Sequence, residues 1–216
     1  MPTREAAALS ARFGLAPQEL TPRVQLALAL LAEETDALRA ALSAAEQEAE
    51  RDPLTGALNR RGFLKALARA LAMLGRHDSP SALLFVDLDG FKALNDTRGH
   101  AAGDAALMHV AGLFQAHLRL EDHLARIGGD EFVILLTHAD QSQAEAKAQA
   151  LANLLASQQF EHEGVRHTLS AAIGAAALSS DEGAEQALAR ADEAMYAAKR
   201  AAKRRAELAA LGVSAA

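Results

Sequence analysis

The chain has 216 residues, half of them hydrophobic and 23% charged, with a net charge of −6 and no cysteine. That length carries one sizeable domain with an appendage, or two small domains. The acidic balance argues against binding nucleic acid, and the lack of cysteine excludes disulfides and thiolate metal sites and suits a reducing compartment. "MPTREAAALSARFG" lacks the apolar core of a signal peptide, and no apolar run approaches the ~20 residues of a membrane span. A cytoplasmic protein with no membrane insertion is expected.

In chain order, Arg4 to Phe13 reads as a short helix ended by Gly14. Thr21-Pro22 then looks like an N-cap with proline in the first turn, and nothing breaks the helix that follows until about Arg51. Its 4-3 rhythm selects Val24, Leu28, Leu31, Thr35, Leu38, Leu42, Ala45 and Ala49, with Thr35 the one polar member. Such a seam makes a dimeric coiled coil or packs on its own domain, and the heptad rhythm favours self-association. Residues 1–51 are therefore expected to form a helical dimerisation and regulatory stalk, 52–208 the main domain and 209–216 a tail. Asp52-Pro53 stops the stalk in the turn-rich joint "DPLTGALNRRGF".

An amphipathic helix is expected from Arg60 to Leu74, a strand over Ala82–Val86, a short helix from Phe91 to Arg98 and another from Asp104 to Leu118. The hairpin "ARIGGDEFVILL" follows, then an alanine-rich helix near 144–157. "VRHTLSAAIGAAAL" reads as one strand, and Glu185 to about Leu208 as the last helix. Helices alternating with strands, plus one hairpin, indicate an α/β sandwich with a mixed sheet.

Acids gather at the strand ends. Strand periodicity points Asp87 and Asp89 the same way, and Gly128-Gly129 reads as a two-residue hairpin loop with Asp130 immediately past it. If the two strands are neighbours, Asp87 and Asp130 approach within a few ångströms, and carboxylates so crowded need a cation between them. Oxygen-only ligands suit Mg²⁺ or Mn²⁺ and phosphoryl or nucleotidyl transfer; solvated acids at strand ends are the other reading. Gly90, Phe91 and Lys92 open a helix whose free N–H groups make a phosphate cradle. Asn95 and Asp104 can read a base, Asp accepting from guanine N1–H and its 2-amino group while the Asn amide completes the pairing; helix caps are the alternative.

"DPLTGALNRRGF", "FVDLDGFKALNDTRGHAAGD", "RIGGDEFVIL" and "ADEAMYAAKRAAK" stand in the order seen in GGDEF domains, the diguanylate cyclases of bacterial signalling, and the chain resembles that family from about Asp52 to Arg205. The resemblance implies a five-stranded mixed sheet flanked by helices, as in nucleotide-cyclase and polymerase palms. It implies metal binding by Asp87, the Leu88 carbonyl and Asp130, catalytic roles for Asp87, Asp130 and Glu131, and two Mg²⁺ (or Mn²⁺) per active site. It further implies GTP held by Gly90, Phe91, Lys92, Asn95, Asp104, Gly128, Gly129 and Lys199. The product would be cyclic di-GMP, made across a homodimer of GTP-loaded domains and released with two pyrophosphates. A catalytically inactive domain that serves as a cyclic di-GMP receptor is the alternative, and the survival of Asp87, Asp130 and Glu131 favours the enzyme.

"RLED", Arg119 to Asp122, is separated from Gly128 by five residues, the spacing of the family's inhibitory RxxD site. Arg119 can fork onto guanine or phosphate acceptors while Asp122 accepts from guanine N–H groups, so feedback by cyclic di-GMP is expected. Lys203 stands where the family commonly has an arginine, keeping the charge and losing the fork. None of the eight histidines forms an H-x-x-x-H pair with a nearby acid. The sequence names no activating signal, and an upstream regulatory protein is one source of it.

Overall fold

The computed structural model describes residues 11–14, 21–77 and 79–210. The short helix expected from Arg4 to Phe13 falls for the most part outside them, as does the tail beyond 210. The chain divides into two units, Met1–Ala49 and Glu50–Ala216. No helix among the described residues is long and apolar enough to cross a membrane.

In the first unit, helix α1 spans Pro22–Glu48. The Thr21 hydroxyl accepts from the Val24 N–H at 3.4 Å, capping its start. Thr35, the polar seam residue, donates its hydroxyl to the Leu31 carbonyl at 2.6 Å and so meets its own hydrogen-bonding need within the helix. Leu31, Leu38 and Leu42 are each more than half exposed.

The second unit runs α2 (Arg60–His77), β1 (Ser81–Asp89), α3 (Phe91–Arg98), α4 (His100–Gln115), β2 (His123–Arg126), β3 (Glu131–Thr137) and α5 (Gln141–Ser157). It continues through β4 (Gln159–His162), β5 (Val165–Thr168), β6 (Ser170–Ala177) and α6 (Ala184–Ala210). The main sheet has the order β2-β3-β1-β6 with antiparallel neighbours throughout. The helix-flanked sandwich agrees with the sequence reading, but the sheet has four strands rather than five. Its parallel character comes from a one-residue bridge between Leu58 and Ala125.

The run "VRHTLSAAIGAAAL" is two strands, not one. Val165–Thr168 folds back on Gln159–His162 as a separate hairpin, turned by Gly164 at φ 75°. Buried Leu169 marks the break before β6. Phe160 fastens this hairpin to α4, stacking between His109 and His167 with ring centroids 5.5 and 5.1 Å apart. Helix α4 also begins earlier than expected, at His100, so Asp104 lies inside it and caps nothing.

Strand β1 is apolar on both faces because helices cover both, as buried strands require. Leu84, Val86 and Leu88 pack with Leu107, Val110 and Phe114 of α4 and with Leu151 and Leu155 of α5. Leu83 and Phe85 pack on the other side with Phe63 and Leu67 of α2 and with Ala187, Ala191 and Met195 of α6. Strand alternation then sends Asp87 to the α2/α6 side, in line with Phe85.

Helix α6 approaches β6 backbone to backbone. A Cβ added to Gly174 would stand 1.9 Å from the Met195 nitrogen. Gly174 pairs with Phe85 in the ladder. Lys199 lies one turn beyond Met195, ~6 Å along the axis, which matches the ~6.6 Å from Phe85 to Asp87. The glycine thereby brings Lys199 level with the end of β1.

Leu84 is fully buried in the centre of the sheet. Leu84→Ala should cost about 2–5 kcal/mol of unfolding free energy through lost burial and a residual cavity. Urea unfolding followed by circular dichroism measures it, with an unchanged slope expected.

Candidate active site

Asp87 and Glu131 are direct partners across the β1–β3 ladder. Such pairs share a face at close range, and like charges there repel. The hairpin that delivers Asp130 is longer than the two residues expected. Ile127 donates to the Glu131 carbonyl at 3.0 Å, which leaves Gly128, Gly129 and Asp130 as a three-residue loop. Leu88 donates to the Asp130 carbonyl at 3.3 Å, carrying the ladder one step further. In that antiparallel geometry the Leu88 carbonyl also turns toward the Asp130 loop.

Neither hairpin glycine has the positive φ of a tight primed turn. At Gly128 the reason is space: a Cβ there would lie 2.2 Å from Glu131 Oε2, so the carboxylate folds over a bare backbone, whereas a Cβ on Gly129 would meet nothing within 4 Å. Arg126 fixes the loop, donating through Nε and Nη2 to the Gly129 carbonyl at 3.1 and 2.8 Å. Its Nη1 reaches both oxygens of Asp52 at 3.4 Å, and Asp52 also accepts from the Thr55 N–H at 2.9 Å and hydroxyl at 2.6 Å. The "DPLT" joint is thus tied to the glycine loop. Sequence reading passed over Arg126 and Asp52 although both stand in quoted motifs, because a link across 74 positions has no local signature.

Lys199 Nζ donates to Asp87 Oδ1 at 2.5 Å. That bond, with the charges of Asp89 and Asp130, holds the ammonium above its ordinary pKa although burial opposes it. Burial first, then the carboxylates of Asp130, Asp192 and Asp87, pushes the Glu131 carboxyl up, against the pull of Arg60. Asp89 turns aside, accepting from the Ser170 hydroxyl at 2.9 Å.

Among the described residues no three acidic or imidazole side chains stand together as a formed metal-binding group. The donor chemistry nevertheless suits a hard divalent cation. The donors are all oxygen, the neighbouring carboxylates add to burial in raising the Glu131 carboxyl, and the Leu88 carbonyl turns to the same loop.

Gly90 links this corner to the phosphate cradle expected from the sequence. It precedes α3 at φ 70°, ψ 9°, a left-handed conformation costing other residues ~1–2 kcal/mol. No side chain caps α3, so the first-turn N–H groups of Phe91 and Lys92 have no intrahelical acceptor. Lys92 is exposed, as is Lys203 one turn beyond Lys199. Asn95 is half-buried on α3, while Asp104 is exposed on α4 beside buried Gly103.

Arg119 and Asp122 line a cavity of about 130 Å³ together with His138, Gln143 and Lys147. Arg119 is exposed, but Asp122 is only 6% exposed. Its carboxylate accepts from the Arg119 N–H at 3.0 Å and the Thr137 N–H at 3.1 Å. The carboxylate thereby fastens the "RLED" turn to β3.

With this geometry in view, comparison with known proteins gives one family. Residues 49–205 match the GGDEF family, described as diguanylate cyclase, GGDEF domain. The chain belongs to that family. It is 33% identical over 195 residues to diguanylate cyclase DgcP of Pseudomonas aeruginosa, a match covering 89% of this chain and 29% of that protein. The chain thus spans less than a third of that relative's length. Among solved structures it is similar to diguanylate cyclase SiaD in complex with its activator SiaC from Pseudomonas aeruginosa (29% identity, TM-score 0.73, covering 90% of this chain and 74% of that one). It is also similar to the coiled coil and GGDEF domain of DgcB from Caulobacter crescentus in complex with c-di-GMP (28% identity, TM-score 0.71, covering 82% and 95%).

The Asp52–Arg126 link has a pH signature. Burial alone would raise the Asp52 pKa, but the Thr55 donors and the Arg126 guanidinium overcome it and hold the carboxyl below its ordinary range. A depressed carboxyl stabilises the fold above its unfolded pKa, and that contribution is lost as pH falls through the folded value. Asp52→Asn should lower the melting temperature at pH 7, with the gap to wild type closing below about pH 4. Melting curves between pH 3 and 7 decide it, since a gap independent of pH assigns the effect to packing.

Proposed function

We propose that the chain is a diguanylate cyclase that condenses two GTP molecules into cyclic di-GMP and two pyrophosphates. The observation that carries this reading is the pairing of Asp87 with Glu131 beside the Asp130 loop, with Lys199 drawn in among them. Two Mg²⁺ or Mn²⁺ ions held by Asp87, the Leu88 carbonyl and Asp130 supply charge neutralisation and Lewis-acid activation when bound.

The protein's own groups do the positioning. The Gly90 and Phe91 amides with Lys92 hold the β- and γ-phosphates, and Lys199 exchanges Asp87 for the γ-phosphate, with Lys203 behind it. Asn95 and Asp104 read guanine, and bare Gly128 and Gly129 let the nucleotide approach the loop. Glu131 stands beside the attacking hydroxyl. Each 3′-oxygen forms a bond to the other nucleotide's α-phosphorus, the α–β phosphoanhydride bond breaks with its electron pair leaving on pyrophosphate, and the hydroxyl proton passes to solvent.

Two GTP-loaded domains must face each other, so a homodimer is part of the reading; the exposed Leu31, Leu38 and Leu42 of α1 support one. The SiaD–SiaC complex supports control by an upstream protein, and the DgcB complex supports cyclic di-GMP as a ligand, which the reading takes as product and feedback inhibitor. At the inhibitory site Arg119 engages the ligand while Asp122 keeps the turn in place. The reaction runs in the cytoplasm.

Incubation with GTP and Mg²⁺, followed by chromatography, should yield cyclic di-GMP. Asp130→Ala should reduce turnover at least 100-fold without unfolding the chain. Binding of cyclic di-GMP without turnover, even in Arg119→Ala, would establish the inactive receptor instead. Arg119→Ala should relieve product inhibition and keep wild-type stability, whereas Asp122→Ala should lower the melting temperature. Equal stability of these two variants would remove the peg role of Asp122.

A further inference from the structure

We infer that Gly103 is a positioning residue for base recognition, seating the Asn95 amide against α4 so that Asn95 and Asp104 present one guanine-reading edge. The inference rests on the reading of those two residues given above.

Gly103 is buried within α4, where glycine costs about 1 kcal/mol relative to alanine. Its φ is not positive, so its backbone would accept a side chain. Helix propensity and backbone geometry therefore both favour alanine, and the reason for glycine lies in what faces it. A Cβ at 103 would stand 2.0 Å from Asn95 Oδ1, 2.9 Å from its Cγ and 3.2 Å from its Nδ2. Asn95 fills the space that the missing methyl leaves.

The amide is seated with its oxygen nearest Gly103. Asn95 Oδ1 is buried without a hydrogen-bond partner, an arrangement that costs about 1–3 kcal/mol for a carbonyl group. A side chain held this way against its own hydrogen-bonding interest marks a packing constraint with a purpose. With the oxygen turned to Gly103, the Nδ2 donors are left for a ligand. Asp104, the next residue, offers an exposed acceptor. The Asp104 carboxylate is matched to guanine's adjacent donors, N1–H and the 2-amino group, while the Asn95 amide donates to a guanine acceptor; adenine has a single amino donor and no adjacent donor pair.

A methyl at 103 must push Asn95 off this seat. Binding of the non-cleavable α,β-methylene analogues of GTP and ATP to the full chain with Mg²⁺, measured by calorimetry, tests it. Gly103→Ala should weaken the guanine analogue about 10-fold and leave the adenine analogue nearly unchanged, collapsing the preference as Asn95→Ala does. In the Asn95→Ala background Gly103→Ala should cost nothing further, because the clash is gone. A Gly103→Ala variant that keeps the wild-type guanine preference, while Asn95→Ala loses it, overturns the role of Gly103 alone. Asn95→Ala with an unaltered preference overturns the guanine reading and this inference with it. If Gly103→Ala does not fold, a folded double variant identifies Asn95 as the obstacle, and an unfolded one overturns the inference.

Discussion

Repulsion between carboxylates at one end of the sheet is the constraint that organises the rest. Asp87 and Glu131 are locked opposite each other by the β1–β3 register, and Asp130 and Asp192 add to the same field. Such crowding is unfavourable on its own. The neighbouring structure is arranged to contain it. Lys199 supplies a positive charge, Ser170 draws Asp89 aside, and Arg126 holds the glycine loop by its carbonyl. Each partner comes from a different part of the chain, so the acid corner forms only when the whole second unit has folded.

Missing side chains do much of the positioning. Gly174 lets α6 rest on β6, which sets the height of Lys199; Gly128 leaves room for the Glu131 carboxylate. Gly90 turns the chain from the acid strand into α3 in a conformation that β-substituted residues resist. Close packing transmits these small absences as fixed distances, since an interior without voids cannot absorb an extra methyl without moving something.

Much of this was legible beforehand. Period-2 alternation put Asp87 on the face of Phe85 and did not foresee that Asp89 turns aside to Ser170, and the span Phe91–Arg98 follows from glycines on either side. The ordered motifs identified the family. Features set by contact rather than by pattern were not legible. The three-residue loop depends on which residue closes the hairpin, and Gly128-Gly129 reads the same in both cases. The β4–β5 hairpin hid in a sequence that also suits a single strand, because the break falls at buried, apolar Leu169. Nor does anything in R-x-x-D reveal that the Thr137 amide, 15 residues on, engages the Asp122 carboxylate. Its burial is a tertiary fact.

That last contact has a consequence for observation. Asp122 joins the "RLED" turn to the end of β3 through two backbone N–H bonds, so any occupant that draws on this carboxylate competes with the turn's own anchorage. Occupancy and local opening are then one coupled equilibrium, and the amide hydrogen of Thr137 stands at the coupling point. Its exchange with solvent makes the turn a reporter carried within the chain, sensitive to what sits beside Arg119 without any label attached.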